Sequence, residues 1–283
     1  MGVLSTVVLV MSGVAAAPSE ITTRPAGAAT RTPGPQAPAV AARSAYLIDS
    51  AGTVHYAKRP ARRAAVASLV KIMTTYVVLR ETARTEAELT DLITVTKSDV
   101  RHAAANGATS AALRKGERLS VLDLLHGVML PSGADASHAL ARRYGPGQSA
   151  FVAKMNAAAR TLGLADTRYT NADGLPYSGY STAADQARLT QAALGDAAFR
   201  AIAAKRVHRT GKHTWRTTNR LFARTDGVIG VKTGFTNAAG FCLAFAADRA
   251  GRRLVGVLLG DQDERRFRTA AALLDYAEDR LNG

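Results

Sequence analysis

Ala67-Ser68-Leu69-Val70-Lys71-Ile72-Met73 is the stretch whose reading decides the rest. Ser68 and Lys71 stand three residues apart, so on a helix they share one face and their side chains can meet. Apolar residues at 69, 72, 73, 76, 77 and 79 predict a largely buried helix over residues 68–81. A lysine one turn into such a helix is partly desolvated. At the helix start, Ser68 sits among unpaired backbone N–H groups, a setting that favours negative charge. A hydroxyl, an amine within its reach and a positive field at its root are the parts of an activated nucleophile.

Outward from this stretch, residues 45–49 and 53–57 read as two strands around a Ser50-Ala51-Gly52 turn. Downstream, polar Thr-rich sequence runs to Gly116. Residues 120–129 follow as a helix, with Ser120 as its N-cap and Asp123 completing a capping box. Pro131-Ser132-Gly133 breaks that helix, residues 135–143 form another, and an amphipathic helix over 148–162 stops at Gly163. Beyond a loop-rich middle, residues 228–232 read as a strand ending in a turn at Thr233-Gly234. Residues 241–247 and 254–259 form a hairpin around Ala250-Gly251, and a helix over 263–281 closes the chain. Strands at both ends with helices between them predict an α+β domain, its antiparallel sheet built from both termini.

The 283 residues are 47% apolar, ample for a core. Residues 3–17 are apolar and small, too short to span a membrane, and end in Ala15-Ala16-Ala17 like a signal peptide, though without a positive start. Residues 1–17 are therefore read as a signal-like segment, cleaved or kept as an N-terminal membrane tether. Residues 18–43 hold five of the nine prolines and read as a disordered linker, with the folded domain over 44–283. The expected location is outside the cytoplasm, at the cell wall or the outer face of the membrane.

The net charge is +15, from 29 Arg and eight Lys against 22 acids. The arginines are scattered and no nucleic-acid motif occurs; an anionic cell-wall polymer fits such a field equally well, a merely solvated basic surface is the bland alternative, and no nucleic-acid partner is expected. The single cysteine, Cys242, lies in an apolar run and reads as a buried strand residue. Six histidines form no metal-binding or triad motif, and neither metal nor cofactor is expected.

Three short motifs stand in order: Ser68-Leu69-Val70-Lys71, Ser132-Gly133-Ala134 and Lys232-Thr233-Gly234. With this set the chain resembles the serine penicillin-binding enzymes, known by S-x-x-K and K-T-G signatures. Lys71-Ile72-Met73-Thr74, Leu130-Pro131-Ser132-Gly133, Asn171-Ala172-Asp173-Gly174 and Ser181-Thr182-Ala183 narrow the resemblance to the D-alanyl-D-alanine carboxypeptidases of peptidase family S11, over residues 44–281. One departure is plain: Ala134 stands where that family usually carries Asn.

The resemblance implies a β-lactamase/DD-peptidase fold with an all-helical insert. It implies a monomer that trims peptidoglycan stem peptides ending in D-Ala-D-Ala through a serine acyl-enzyme, with β-lactams as covalent inhibitors. Ser68 is then the nucleophile, Lys71 its base, lowered in pKa by burial and by nearby Lys232, and Ser132 a proton relay. Lys232, Thr233 and Gly234 bind the substrate, and the N–H groups of Ser68 and Phe235 form the oxyanion hole. Two rivals share the scaffold: a mainly transpeptidating enzyme and a non-catalytic wall-binding protein. A β-lactamase would need a deacylating glutamate, and residues 118–263 contain no Glu.

Overall fold

Along strand β8 (Gly240–Arg249) both faces are apolar, which is what a strand covered on both sides requires. Leu243, Phe245 and Ala247 pack with Phe267, Ala270 and Leu274 of a C-terminal helix, α8 (Asp263–Asn282). Cys242, Ala244 and Ala246 join the core on the opposite face. The period of two thus sorts one strand into two cores. The computed structural model describes residues 1–3, 35–85, 87–176 and 178–283, and residues 34–283 form one unit. Residues 4–34, which carry the rest of the signal-like segment and the linker up to residue 34, lie outside the described residues.

The central sheet has five antiparallel strands in the order β2-β1-β9-β8-β7. β1 (Ser44–Asp49) and β2 (Val54–Lys58) come from the start of the unit. β7 (Val228–Thr236), β8 and β9 (Arg252–Asp261) come from its end. Pairing of β1 with β9 joins the two ends, as the element order predicts. Packing begins at Val40 and Ala42, which are buried in the α8-side core just ahead of Ser44. Lys58 Nζ donates to the Val40 carbonyl at 2.5 Å and fixes that entry.

The other face of the sheet carries the helical block. α1 (Val70–Arg84) runs through its middle, with α3 (Val121–Met129), α4 (Ala134–Tyr144), α5 (Gln148–Thr161), α6 (Ala183–Ala193) and α7 (Ala197–Ala204) around it. The Ser120 capping box forms as read: Asp123 N–H donates to Ser120 Oγ at 3.0 Å, and Asp123 Oδ2 accepts from the Ser120 backbone N–H at 3.3 Å.

Four expectations need correction. The helix begins at Val70, and Ser68 lies in a 3-10 turn, Ala67–Leu69, just ahead of it. The Thr-rich stretch holds α2 (Lys97–Ala105), capped by a Thr96/Asp99 box. The block is not all helical, because β3 (Leu92–Thr94) pairs with β4 (Arg118–Ser120) and β5 (Val207–Thr210) with β6 (His213–Arg216). Finally, β7 runs unbroken through Thr233-Gly234 to Thr236, since cross-strand pairing to Leu243 and Cys242 overrides the local turn tendency of Gly.

One cross-strand pair stands out in the α8-side core. Phe245 lies directly opposite Gly256, and a Cβ on Gly256 would run into its ring. Phe245→Ala should lower the unfolding free energy by about 3–5 kcal/mol, read from urea denaturation with an unchanged m-value. A loss below about 1 kcal/mol would mean that the ring does not fill this core.

Candidate active site

The backbone just before Ser68 is strained. Ala67 adopts φ +49°, a left-handed conformation uncommon for a residue with a Cβ. Two glycines hold it there. Gly174, at φ +97°, lies against the Ala67 carbonyl so closely that no Cβ would fit. On the other side, a Cβ on Gly234 would lie 3.1 Å from Ser68 N and 3.2 Å from the Ala67 Cβ. The Lys-Thr-Gly strand therefore comes alongside the first N–H groups of the Ser68 turn because its third position has no side chain.

Lys71 is the second residue of α1 and is buried, at 2% exposure. Its Nζ lies 3.2 Å from Ser68 Oγ and donates to the Asp173 carbonyl at 2.8 Å. Burial lowers its pKa from 10.5 to about 8, against the pull of the Asp173 and Asp135 carboxylates. The charges that act on Lys71 are thus two acids, and the repulsion expected from Lys232 falls on the other partner. Lys232, 1% exposed, is held well below 10.5 by burial, then by the Lys71 charge, then by Arg266. Two ammonium groups in one dry site cannot both stay charged at no cost, and Lys71 has the carboxylates.

Asp173 itself is tied down from behind. Its Oδ2 bonds His102 Nε2 at 2.6 Å, and its Oδ1 accepts from Leu175 N–H at 2.9 Å. Burial pushes this carboxyl up, but the His102 bond, the Lys71 charge and the Leu175 N–H outweigh it and leave its pKa below 3.8. His102 lies on α2 with its ring centroid 4.6 Å from that of His138 on α4, whose Nδ1 bonds Asp99 at 2.7 Å. A chain of contacts thus runs from α4 and α2 through His102 and Asp173 to the Lys71 amine.

The remaining residues singled out by sequence stand as follows. Lys232 Nζ donates to the Thr233 carbonyl at 3.0 Å, and Thr233 Oγ1 shares a 2.6 Å bond with Thr218 Oγ1. Thr218 N–H also donates to Leu130 O at 3.3 Å, which ties the Lys-Thr-Gly strand to the loop that carries Ser132. Ser132 adopts φ +68°, and its Oγ is buried without a hydrogen-bond partner among the described residues. No hydrogen bond joins it to Ser68, Lys71 or Lys232. Ala134 is fully buried at the start of α4, and its N–H donates to Thr109 O at 2.8 Å. Phe235 turns its ring outward, half exposed, and stacks on Phe241 at 4.2 Å.

Sequence reasoning missed four contributors: His102, Asp173, Thr218 and Arg266. Arg266 is buried on the first turn of α8, with its guanidinium over the Phe241 ring and its Nη1 donating to Gly234 O at 3.4 Å. Only Asp173 carried a signal, as part of Asn171-Ala172-Asp173-Gly174; the others depend on contacts far apart in sequence.

A hydroxyl beside a depressed-pKa amine, with backbone N–H groups and a second buried amine near enough to feel its charge, has the parts for acyl transfer. Residues 31–263 match peptidase family S11, D-alanyl-D-alanine carboxypeptidase. The chain is 35% identical over 269 residues to a D-alanyl-D-alanine carboxypeptidase of Streptomyces sp. strain K15, covering 89% of each. It is 33% identical to the D-alanyl-D-alanine carboxypeptidase DacF of Bacillus subtilis, where it spans 83% of its own length and 62% of that protein. The crystal structure of the Streptomyces K15 DD-transpeptidase superimposes with a TM-score of 0.81 at 34% identity, covering 85% of this chain and 98% of that one. Penicillin-binding protein 6B of Escherichia coli gives 0.80 at 33% identity, over 86% and 79%. With the family match and the site geometry in agreement, the chain belongs to the D-alanyl-D-alanine carboxypeptidases of peptidase family S11.

Proposed function

We propose that this chain removes the terminal D-alanine from peptidoglycan stem peptides ending in D-Ala-D-Ala, outside the cytoplasm, through an acyl-enzyme on Ser68. The observation that carries the reading is the Lys71 amine, buried and 3.2 Å from Ser68 Oγ. The substrate's terminal carboxylate docks at Lys232 and Thr233. A carboxylate there favours the charged form of Lys232, and the repulsion between the amines then favours a neutral Lys71. Neutral Lys71 takes the Ser68 proton as Oγ attacks the carbonyl between the two D-alanines. The oxyanion faces the N–H groups of Ser68 and Phe235. As the C–N bond breaks, the leaving amine takes a proton, relayed from Lys71 through the unpartnered Ser132 hydroxyl. Water then attacks the ester, yielding the shortened peptide and free Ser68. A β-lactam enters by the same first step, with ring opening in place of D-alanine release.

Two observations favour a second reading, in which an amine rather than water accepts the acyl group. Ala134 replaces the usual Asn, and one similar structure is of a DD-transpeptidase.

A fluorescent penicillin should label the wild-type protein and leave Ser68→Ala unlabelled, and undiminished labelling of the variant would reject Ser68. Because the base must be neutral, the labelling rate should rise about tenfold per pH unit below the Lys71 pKa and level off above pH about 8. A flat profile from pH 6 to 8 would reject Lys71 as the base. His102→Ala frees the Asp173 loop that positions the Lys71 amine. It should slow acylation by about tenfold to a hundredfold and displace the pH profile; a slower rate with an unmoved profile would assign His102 to folding alone. Incubating a D-Ala-D-Ala peptide with excess glycine separates hydrolysis from transfer. Free shortened peptide as the main product supports the carboxypeptidase, and a glycine-terminated product supports the second reading.

A further inference from the structure

Between Asp196 and Asp226 the chain has eight cations and no acidic residue. This segment folds into α7, the β5–β6 ribbon and a 3-10 turn, Arg220–Ala223, and it lies against the reactive strand. Thr218 bonds Thr233 at its near end, and a Cβ on Gly230 of β7 would sit 2.5 Å from the Ala203 carbonyl of α7. The acid-free segment is therefore one wall of the catalytic region.

The ribbon has an inside and an outside. His208 and Trp215 oppose each other in the register and turn inward, where His208 stacks on His126 of α3 with centroids 3.9 Å apart. Burial lowers the His126 pKa to about 4, so the His126 ring is neutral in the stack at neutral pH. The Trp215 indole N–H donates to Ala111 O at 2.8 Å. With those residues inward, the period of two turns Arg209 and Arg216 outward, and Lys212 stands at the Gly211-Lys212 turn. All three are exposed, and none joins an ion pair among the described residues.

At the base of the ribbon, where Thr217 N–H donates to Arg206 O at 2.9 Å, the same acid-free segment lines an open groove with Arg206, Asn219, Arg220, Phe222 and Arg224. The Arg206 guanidinium rests 5.1 Å from the Phe222 ring centroid. Arg220 and Arg224 share one carboxylate, Glu264, and so keep a net positive charge. Asn219 is buried in the lining with an unpartnered Nδ2 donor. Holding so many like charges on one rigid wall costs folding energy through self-repulsion, and an external anion relieves it.

We propose that this face binds free carboxylates of the polymer on which the enzyme acts, holding a neighbouring strand beside the cleft; the proposal rests on the function given above. Every unprocessed stem of such a polymer ends in a carboxylate, a group that arginine's planar fork binds with two parallel hydrogen bonds. The face starts at Thr218, one hydrogen bond from the strand that takes the reacting stem's own carboxylate, so neighbouring stems meet it as the substrate docks.

The test pellets the full chain with purified peptidoglycan, and with the same material after carbodiimide amidation of its carboxylates. Wild-type affinity should fall about tenfold in the Arg209→Glu/Arg216→Glu double variant and by a similar factor on amidation, and should weaken as salt is raised. Release of D-alanine from a small D-Ala-D-Ala peptide should stay the same in the double variant. Binding unmoved by the charge reversals or by amidation would overturn the proposal, as would preferential binding to anionic phospholipid vesicles. A wild type that binds the wall carboxylate-dependently yet releases no D-alanine would instead sink the catalytic reading and leave the surface standing.

Discussion

The constraint that organises the molecule is the desolvation of one amine. Lys71 has almost no contact with water, and the oxygens around it are the Ser68 hydroxyl and the Asp173 carbonyl. A buried ammonium is tolerated where acceptors and opposite charge offset its lost hydration. Too much offset would fix the proton permanently, and too little would leave the amine neutral without any substrate. Here burial dominates, while Asp173 and Asp135 temper it, and the pKa falls from 10.5 to about 8. The amine is thus a base within reach of a modest change in its surroundings.

That balance depends on backbone approaches that side chains would prevent. The Asp173 carbonyl reaches Lys71 because the next residue, Gly174, nests against Ala67. Ser68 has a strand alongside it because Gly234 has no Cβ. The left-handed Ala67 is the residue between them, and the surrounding sheet and helix over-determine its conformation. A strain of this kind persists only where the neighbours leave no relaxed alternative. His102 and Leu175 then lock the carboxyl end of Asp173, so the loop that presents the carbonyl is fixed at both of its polar groups.

How much of this was legible in the sequence differs by the range of the interaction. Ser120 with Asp123 is a local contact between neighbours on a single helix end, and its capping box formed as read. The two-sided apolar pattern of residues 241–247 and the strand pair at each end gave the sheet, because burial on both faces leaves a trace at every position. Thr233-Gly234 misled, since a glycine has the same local preference in a turn as in a strand that another element must approach. The Thr-rich stretch hid α2 because its short helix buries little apolar surface and relies on the Thr96/Asp99 cap. His102 and Asp173 lie 71 positions apart, and Arg266 meets Gly234 across 32. No periodicity records such pairs; only the folded chain brings them together.

The chain also divides its cations by chemistry. It has 29 arginines and eight lysines, and the two lysines that are fully buried are Lys71 and Lys232. A lysine can lose its proton when desolvated, whereas an arginine stays charged in almost any protein setting. Where the proposed reaction needs an amine that changes state, the residue is lysine. Where a constant charge suffices, as on the outward face of the β5–β6 ribbon or at Arg266 beneath the reactive strand, it is arginine. Exchanging the two kinds would keep the net charge at +15, but a guanidinium at position 71 could hold an anion and could not take the Ser68 proton as the proposed reaction requires. The basicity of the protein and the reactivity of its site are therefore separate properties, carried by different residues for the same electrostatic reason.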